Sequence, residues 1–473
     1  MILRLKLMVM LLMSYAFAKA ETSHPLSKSN DSEITSVIQV KGPVYAEDIP
    51  VSKTATDLLQ AGPMLGYSGF RELLIWVQTT ESARVKIAYR SKGIDERYTQ
   101  QVTTTQEDYH IAKLFPTDLE YGTTYQYDVY INDEKLEFPY KTEFQTQELW
   151  QYRTEPPALS IAIGSCSFIN EERDDRPEPY GGGYEIFNSI LEQDPDMMLW
   201  MGDNMYLRTP DFLTETGIEH RYRHTRSLPE MQALLASVHN YAIWDDHDYG
   251  PNDSDRSYVN KKISERIFNT YWGNFNTNAT GKGGITSHFA TADVEFFMLD
   301  DRYHRAPNRS RDRDKAYFGK EQLDWLIDAL TASRASFKIV VAGGQIVSDA
   351  AKYENYATYP GEREKLLKRL HEERISGVIF LSGDRHHTEI SRMERENAYP
   401  LIDITCSPLT AGTHAARDEG NSFQVEGKTF YEHNFGILNV TGDRKNRQLK
   451  LTIYDSQGQK QFDYQVKASE LRY

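Results

Sequence analysis

The chain has 473 residues, of which 39% are hydrophobic, two cysteines and a formal net charge of −15 at pH 7. Its length is enough for two folded domains with a sizeable core. The acidic charge excludes tight non-specific binding to nucleic acid, which needs clustered Lys and Arg, but not cleavage of a phosphate ester, because bound cations can reverse the local field.

The first 20 residues have the organisation of a secretory signal peptide. A basic start, Met1–Lys6, precedes the apolar run Leu7–Met13 and the small residues Ala18 and Ala20. The run is too short to span a bilayer comfortably, and no later stretch reaches the roughly 20 apolar residues that a spanning helix needs. The sequence predicts a signal peptide over residues 1–20, no transmembrane anchor, and export to the periplasm or the extracellular space.

Residues 38–148 alternate short strand-like runs with turns and show no long helical period. The runs are Glu72–Thr79, Arg84–Arg90, Tyr98–Thr104, Tyr109–Leu114, Thr124–Ile131 and Glu137–Gln145. This pattern is typical of a β-sandwich of the immunoglobulin or fibronectin type. We expect an N-terminal all-β domain that supports the rest of the chain, followed by a linker at Glu148–Pro157.

Residues 155–473 alternate strand-like and helical stretches. The predicted helices are Tyr184–Glu192, Leu228–Ser237, Asp255–Trp272, Lys320–Ser333 and Glu362–Arg374. Such alternation predicts an α/β domain with a layered αββα arrangement, which would carry the chemistry.

Four polar motifs in this domain each follow an apolar strand-like run. These runs predict strands over Leu159–Ile163, Met197–Met201, Tyr241–Ile243 and Val378–Ser382. They read Gly164-Ser165-Cys166, Gly202-Asp203-Asn204-Met205-Tyr206, Trp244-Asp245-Asp246-His247-Asp248 and Gly383-Asp384-Arg385-His386-His387. The carboxyl ends of strands are where α/β sheets usually build their sites. Four successive motifs of metal-ligand residue types therefore indicate a two-metal hydrolytic centre.

The residue types in these motifs suit two different ions. A two-metal hydrolase needs a bridging anion between ions about 3.5–4 Å apart, and Asp203 in its Gly-Asp turn is suited to that position. Cys166, Asp203 and Tyr206 together favour Fe(III). Hard oxygen donors from the Asp245–Asp248 run, Asn252 and Asp384 favour Ca²⁺, Mg²⁺ or Mn²⁺ at a second position.

The two cysteines allow one disulfide in an oxidising compartment. A thiolate ligand explains Cys166 better, because it ends a buried strand within the motif set. Cys406 lies in the apolar run Leu401–Cys406 and is expected to be a small core residue.

Taken together, the motifs resemble the PhoD-like alkaline phosphatases of the calcineurin-like metallophosphoesterase superfamily. The resemblance covers about residues 155–440 and includes Gln322, Trp325 and Leu326 of the Gly319–Leu326 stretch. His387 and Glu389 depart from the family pattern, in which bulkier neutral residues are common.

The resemblance implies a fold, a set of ligands and a reaction. Iron would be held by Cys166, Asp203, Tyr206 and His386, and calcium by Asp203, Asp246, Asn252 and Asp384. Aligning Asp-His-Asp with the superfamily's Asn-His-Glu assigns Asp246 to calcium, with Asp245 as the alternative. Mn²⁺, Mg²⁺ or Zn²⁺ could replace calcium.

The reaction that the resemblance implies is hydrolysis of small or polymeric phosphate esters. A metal-bound hydroxide or oxide would attack phosphorus in line, while His247 and Arg385 contact the phosphate or assist the leaving group. Both monoesters and diesters remain open as substrates.

Two other classes of function compete with this one. A secreted calcium-stabilised binding protein would explain the acidic motifs, but Cys166 and Tyr206 are not ordinary calcium ligands. A metal hydrolase of another bond is disfavoured because the chain lacks His-x-His-x-Asp and His-Glu-x-x-His runs.

Overall fold

The structure, a computed structural model, describes residues 53–414 and 419–473. The predicted signal peptide, and residues 38–52 of the predicted β-domain, lie outside the described residues. Within the two described ranges, no helix is long and apolar enough to cross a membrane.

The first part of the described chain, residues 55–145, is built almost entirely of strands. These elements are helix α1 (Ala55–Leu58) and strands β1 (Leu59–Ser68), β2 (Leu73–Thr79), β3 (Arg84–Ser91), β4 (Ile94–Tyr98), β5 (Val102–Thr103), β6 (Ile111–Leu114), β7 (Thr124–Ile131), β8 (Glu134–Lys135) and β9 (Glu143–Gln145). A 3-10 turn at Gln106–Asp108 precedes β6.

The strands form two antiparallel sheets that share one core. One sheet has the order β1-β2-β6 and the other β4-β3-β7-β8, with β5 paired to β3 and β9 paired to β7. In β7, alternate side chains such as Tyr125, Tyr127 and Val129 point inwards, the two-residue period of a half-buried strand. The likeness of this unit to immunoglobulin or fibronectin domains stays a prediction.

The remaining residues alternate helices with strands. The strands are β10 (Leu159–Gly164), β11 (Met197–Met201), β12 (His239–Ile243), β13 (Ser287–Thr291), β14 (Val294–Met298), β15 (Phe337–Val341), β16 (Val378–Ser382), β17 (Thr388–Arg395), β18 (Ala398–Thr405), β19 (Gln424–Phe430), β20 (Asn434–Thr441), β21 (Gln448–Asp455) and β22 (Lys460–Lys467). The helices are α2 (Ile186–Leu191), α3 (Glu215–Arg226), α4 (Pro229–Ser237), α5 (Asp246–Tyr249), α6 (Lys261–Tyr271), α7 (Lys320–Ala332) and α8 (Pro360–Glu372), with 3-10 turns at Tyr356–Thr358 and Ala468–Leu471.

These strands form two mixed sheets, as expected for an α/β domain. The first has the order β12-β11-β10-β20-β21-β22, and its strands β10, β11 and β12 are parallel. The second has the order β13-β14-β15-β16-β18-β17-β19, with β14, β15, β16 and β18 parallel. The continuous apolar run of β11 is buried along its whole length, as parallel strands covered on both faces require.

One large apolar core joins the two sheets. It contains side chains from both, among them Leu199 of β11 and Phe380 of β16, together with side chains of α2, α3, α4, α6, α7 and α8. The C-terminal strands complete the first sheet, because β20 pairs antiparallel with β10. The two sets of parallel strand ends thus belong to one packed body.

The N-terminal sheets pack directly against this body. Strand β1 contacts α4 and β12. The Trp76 indole donates to the carbonyl of Thr270 at 3.0 Å, and the Gln78 amide donates to the Tyr271 hydroxyl at 2.9 Å. Residues 53–473 therefore form one compact unit.

Candidate metal centre

The four motifs lie at the ends of β10, β11, β12 and β16. The first two loops are joined by backbone hydrogen bonds, from the Cys166 amide to the Gly202 carbonyl at 3.2 Å and from the Ser167 amide to the Asp203 carbonyl at 2.7 Å. Gly383 packs against the first loop so closely that a Cβ there would lie 2.6 Å from the Ser165 hydroxyl oxygen. The absence of a side chain at Gly383 lets the two sheets bring their loops together.

The residues predicted for the first ion converge on one point. Ligand atoms of Cys166, Asp203 and His386 all lie within 4.8 Å of one another, and all three residues are buried. The Cys166 sulfur is 3.7 Å from Oδ2 of Asp203. The Tyr206 hydroxyl, also buried, lies 3.2 Å from Nε2 of His386.

The tautomer of His386 directs its free nitrogen into this cluster. Nδ1 is 2.5 Å from the carbonyl oxygen of Gly412, which can only accept, so Nδ1 carries the proton. Nε2 is left with its lone pair towards Tyr206. A backbone acceptor on the far nitrogen is the usual support of a metal-ligating histidine.

Four of these residues have left-handed backbone conformations. The φ angles are 58° at Cys166, 52° at Asp203, 67° at Asp384 and 52° at His386. Such angles are uncommon for residues with a side chain and gather at functional sites. Tight turns, rather than the side-chain alternation of an extended strand, therefore place Asp384 and His386 beside Asp203.

Two aspartates compete for the second position. Asp245 forms a cluster with Asp203 and Asp384, with ligand atoms within 4.8 Å of one another. Asp246 forms a similar cluster with Asp203 and His247. Asp246 begins helix α5, so the two neighbours face different parts of the site by helical geometry.

The partners of the two aspartates differ. Asp245 is bound by the Arg302 guanidinium, and its Oδ2 is buried with no hydrogen-bond partner among the described residues. Asp246 accepts the Asp253 amide through Oδ2 at 2.6 Å, and its Oδ1 lies 3.9 Å from Arg302. Asp245 thus retains an oxygen that a cation could use beside Asp203 and Asp384.

The remaining predicted residues line the approach to the cluster. The His247 ring lies against the Tyr206 ring, tilted by 34° with ring centroids 4.2 Å apart, and Nδ1 of His247 is buried without a hydrogen-bond partner in the described ranges. Asn252 is exposed, and shares a cleft of about 360 Å³ with Tyr206 and His247. Arg385 forms ion pairs with Asp384 at 3.7 Å and with Glu419.

The electrostatics of the cluster fit bound cations. Burial raises the pKa of the Cys166 thiol to about 11. Burial and repulsion from Asp246 raise the pKa of Asp203 well above its usual range, and burial raises that of Asp384. A thiol, a phenol and several carboxyls held this close together without water become stable anions when a positive ion lies between them. The residues present therefore fit a metal centre.

Arg302 is the most important residue that the sequence analysis missed. Its guanidinium is fully buried, is bound to Asp245, and lies 2.6 Å from Oε2 of Glu354. Arg302 follows the buried strand β14 in the run Leu299-Asp300-Asp301-Arg302. A fifth polar motif after an apolar strand was thus the signal that could have identified it.

His387 and Glu389, which depart from the family pattern, belong to the scaffold. The buried Glu389 carboxylate accepts from the side-chain amides of Gln345 at 2.5 Å, Asn421 at 3.0 Å and Gln424 at 2.8 Å. Nε2 of His387 lies 3.7 Å from Oε2 of Glu389. This polar network fixes β17 and β19 below the last motif.

Both cysteines are free and buried. Ser407 donates to the Cys166 sulfur at 3.1 Å, whereas the Cys406 sulfur lies 3.6 Å from the carbonyl oxygen of Ile163 inside the core. The expectation of a small buried residue at position 406 agrees with this placement.

Two sequence profiles match the chain. The one described as PhoD-like phosphatase matches residues 161–471, and one described as a domain of unknown function (DUF7800) matches residues 56–149. The two ranges meet near the linker predicted at Glu148–Pro157.

Among curated proteins, alkaline phosphatase D of Bacillus subtilis (strain 168) is 19% identical over 387 residues, which is 67% of this chain. The match spans 64% of that protein, slightly less than two thirds of its length.

Two solved structures have a similar fold. The structure of PhoD has a TM-score of 0.73 and 16% identity, with 89% of this chain and 93% of that chain covered. Purple acid phosphatase PPD1 from yellow lupin (Lupinus luteus) seeds has a TM-score of 0.63 and 14% identity, with 86% of this chain and 74% of that chain covered. At these identities the likeness concerns the fold.

Proposed function

Because this chain belongs to the PhoD-like phosphatase family, we propose that it is an exported metal-dependent phosphoesterase that hydrolyses phosphate monoesters, diesters or both. The observation that carries the proposal is the convergence of Cys166, Asp203, Tyr206 and His386 from two sheets on one buried point, beside a second group of carboxylates.

Iron is the proposed first ion and calcium the proposed second. A thiolate, a phenolate and a carboxylate supply three negative charges, which suits Fe(III). The second position offers carboxylate oxygens from Asp203, from Asp384 and from Asp245 or Asp246, with Asn252 nearby, and hard oxygen donors suit Ca²⁺, Mg²⁺ or Mn²⁺. When bound, two such ions make a water strongly nucleophilic and polarise the phosphoryl oxygens.

His247 and Arg385 are proposed to act on the phosphate group. Burial lowers the pKa of His247, so the imidazole is neutral at pH 7 and offers one donor and one acceptor. Its unpartnered Nδ1 makes it suited to bind a phosphoryl oxygen or to pass a proton to the leaving oxygen. Arg385, held by Glu419 and by the Tyr353 ring 4.5 Å away, contributes fixed positive charge beside Asp384.

The cleft beside this cluster suits the organic part of a small phosphate ester. Phe168, Tyr180 and Leu207 give it apolar walls, and Asn252 lies on its rim. A cleft of about 360 Å³ is within the range of small-molecule sites. Export is proposed from the sequence of residues 1–20 alone.

The test compares a chromogenic monoester, 4-nitrophenyl phosphate, with the matching diester, bis(4-nitrophenyl) phosphate. Purified protein of measured metal content is assayed with added Ca²⁺, before and after chelation. Turnover of either substrate that is lost on chelation supports the proposal, and the ratio indicates the substrate class. No turnover and no bound iron would favour a calcium-stabilised binding protein instead.

A further inference from the structure

We infer that Arg176 determines substrate specificity by binding a second anionic group, carried by the leaving group of the phosphate ester. The inference rests on the proposed phosphoesterase function. Arg176 is exposed in the segment between β10 and α2, and it lines the same cleft as Tyr206 and His247.

The position of Arg176 relative to the cluster is set by Tyr180. The guanidinium carbon lies 4.6 Å from the centre of the Tyr180 ring, and that ring centre is 6.1 Å from the centre of the His386 ring. The guanidinium therefore lies within about 11 Å of the His386 ring. A substrate whose phosphate is bound at the cluster can reach that distance with a group on the far side of an aromatic or sugar ring.

Among the residues that the structure describes, no carboxylate pairs with Arg176. Of the other charged residues that line the cleft, Asp175 pairs with Arg208 at 2.7 Å, and Asp174 pairs with Arg173 and Arg221 outside it. No carboxylate forms an ion pair with Arg176 in residues 53–414 and 419–473. In a chain of net charge −15, a cation without an acidic partner at the mouth of the candidate site is available for an anionic ligand.

The loop that carries Arg176 is held in place before any ligand binds. The side chain of Asn170 joins the two ends of the loop, since Nδ2 donates to the Gly181 carbonyl at 2.7 Å and Oδ1 accepts from the Gly181 amide at 2.9 Å. Pro177 and Pro179 follow Arg176 and restrict the backbone further. The cation–π contact with Tyr180 restrains the guanidinium, and its N–H groups can bind a carboxylate or phosphate. This preorganisation lowers the entropy cost of binding.

The experiment uses two substrates that differ by one anionic group, phenyl phosphate and 4-carboxyphenyl phosphate. For the wild-type enzyme we expect a higher kcat/KM with the carboxylated ester. Arg176→Gln should lower kcat/KM for that ester about tenfold, through a higher KM, and should change kcat/KM for phenyl phosphate less than about twofold. For the carboxylated ester, kcat/KM of Arg176→Lys should lie between the values of the wild type and Arg176→Gln, because lysine keeps the charge and loses the planar fork.

The matched control is Arg173→Gln. Arg173 lies in the same loop and is exposed, but it pairs with Asp174 and does not line the cleft. Arg173→Gln should leave kcat/KM for both esters unchanged. A wild-type preference that disappears in 0.5 M salt would support the charge interaction.

The outcomes separate the inference from the proposed function. If Arg176→Gln lowered kcat/KM equally for both esters, or lowered it for neither, the role of Arg176 would be overturned while the phosphoesterase function stands. If the wild-type enzyme hydrolysed neither ester, the proposed function would fail and the inference with it.

Discussion

The Tyr206 hydroxyl lies 3.2 Å from Nε2 of His386, although 180 positions separate the two residues in the chain. Tyr206 follows β11 of the first sheet, and His386 follows β16 of the second. Their side chains meet beside Cys166 and Asp203 only because the parallel ends of the two sheets face one point. A phenol and an imidazole nitrogen with a free lone pair at this distance form half of a four-ligand site.

Tyr206→Phe should remove the phenolate-to-iron charge-transfer band from the visible spectrum of the protein while preserving its fold. If Tyr206 binds Fe(III) as a phenolate, charge transfer from the ring to the metal gives the protein a colour, and phenylalanine has no oxygen to supply it. Visible absorption spectra of the purified variant and of the wild type, at equal iron content, check this expectation.

Tyr180→Phe is the control for that variant. It also removes a phenol beside His386, since the Tyr180 hydroxyl lies 3.4 Å from Nδ1, but on the opposite side of the ring from the cluster. Tyr180→Phe should keep the visible band. A band that survives in Tyr206→Phe, or that is lost equally in both variants, would contradict phenolate ligation by Tyr206.

Arg302→Met should lower the free energy of unfolding by about 3–5 kcal/mol. The guanidinium is completely buried between Asp245 and Glu354, so its loss leaves the buried Asp245 carboxylate without its ion pair and leaves Glu354 with Arg305 as its remaining cationic partner. Urea unfolding of the metal-loaded protein measures the effect. The control Arg313→Met breaks a surface pair with Glu364, in which both side chains are more than 60% exposed, and should cost less than about 1 kcal/mol. Equal losses would show that the buried network contributes no more than a surface pair.

Glu389 should make stability depend on pH in acid. Burial alone would raise the pKa of its carboxyl, but the hydrogen bond and charge of His387 and the donors Gln345 and Gln424 together lower it. A carboxyl whose pKa is lower when folded than when unfolded stabilises the protein above the unfolded pKa of about 4.3, and this stabilisation is lost as pH falls through the folded pKa.

The measurement is urea unfolding of the wild type and of Glu389→Gln from pH 7 to pH 3. The difference in the free energy of unfolding between the wild type and Glu389→Gln should be constant at neutral pH. It should shrink below about pH 4.3, because only the wild type takes up a proton at position 389 there. Glu426→Gln, at an exposed position on the neighbouring β19, serves as the control. A difference that stays constant to pH 3 would contradict an ionised Glu389 in the folded protein.

Removal of the metals should lower the apparent Tm by more than about 5 °C at pH 7. Ligand atoms of the buried Asp203 and Asp245 and of the half-buried Asp384 lie within 4.8 Å of one another, so the negative charges of these carboxylates repel when no cation lies between them. Calorimetry before and after reduction and chelation tests this, and restored Ca²⁺ and iron should restore the Tm. An unchanged Tm would mean that the cluster tolerates its charge without ions.

The sequence identified the strands that carry the site because apolar runs and polar ends are local signals. β11 and β16 match their predicted bounds, and β10 differs by one residue. Helix α3 (Glu215–Arg226) was missed because charged residues and histidine dominate it, and its packing comes from few apolar positions such as Ile218 and Tyr222. Helix α6 begins at Lys261 instead of Asp255, because turns precede it.

The pairings within the site could not be predicted in the same way. The contact of Arg302 with Asp245 and Glu354 joins three loops that are distant in sequence, and no periodicity reports such a contact. The left-handed turns at Asp384 and His386 also leave no mark in the pattern of apolar residues. Residue types at strand ends predicted the donors, whereas their distances depend on how the two sheets pack.

The central claim, that a metal centre built around Asp203 performs phosphate ester hydrolysis, is tested most directly by Asp203→Asn beside Asp194→Asn. The two substitutions make the same chemical change at opposite ends of β11, and Asp194 is exposed. We predict that Asp203→Asn folds, binds less metal per chain and loses turnover of 4-nitrophenyl phosphate by at least about a thousandfold, while Asp194→Asn retains both. Turnover and metal content like those of the wild type in Asp203→Asn would contradict the account.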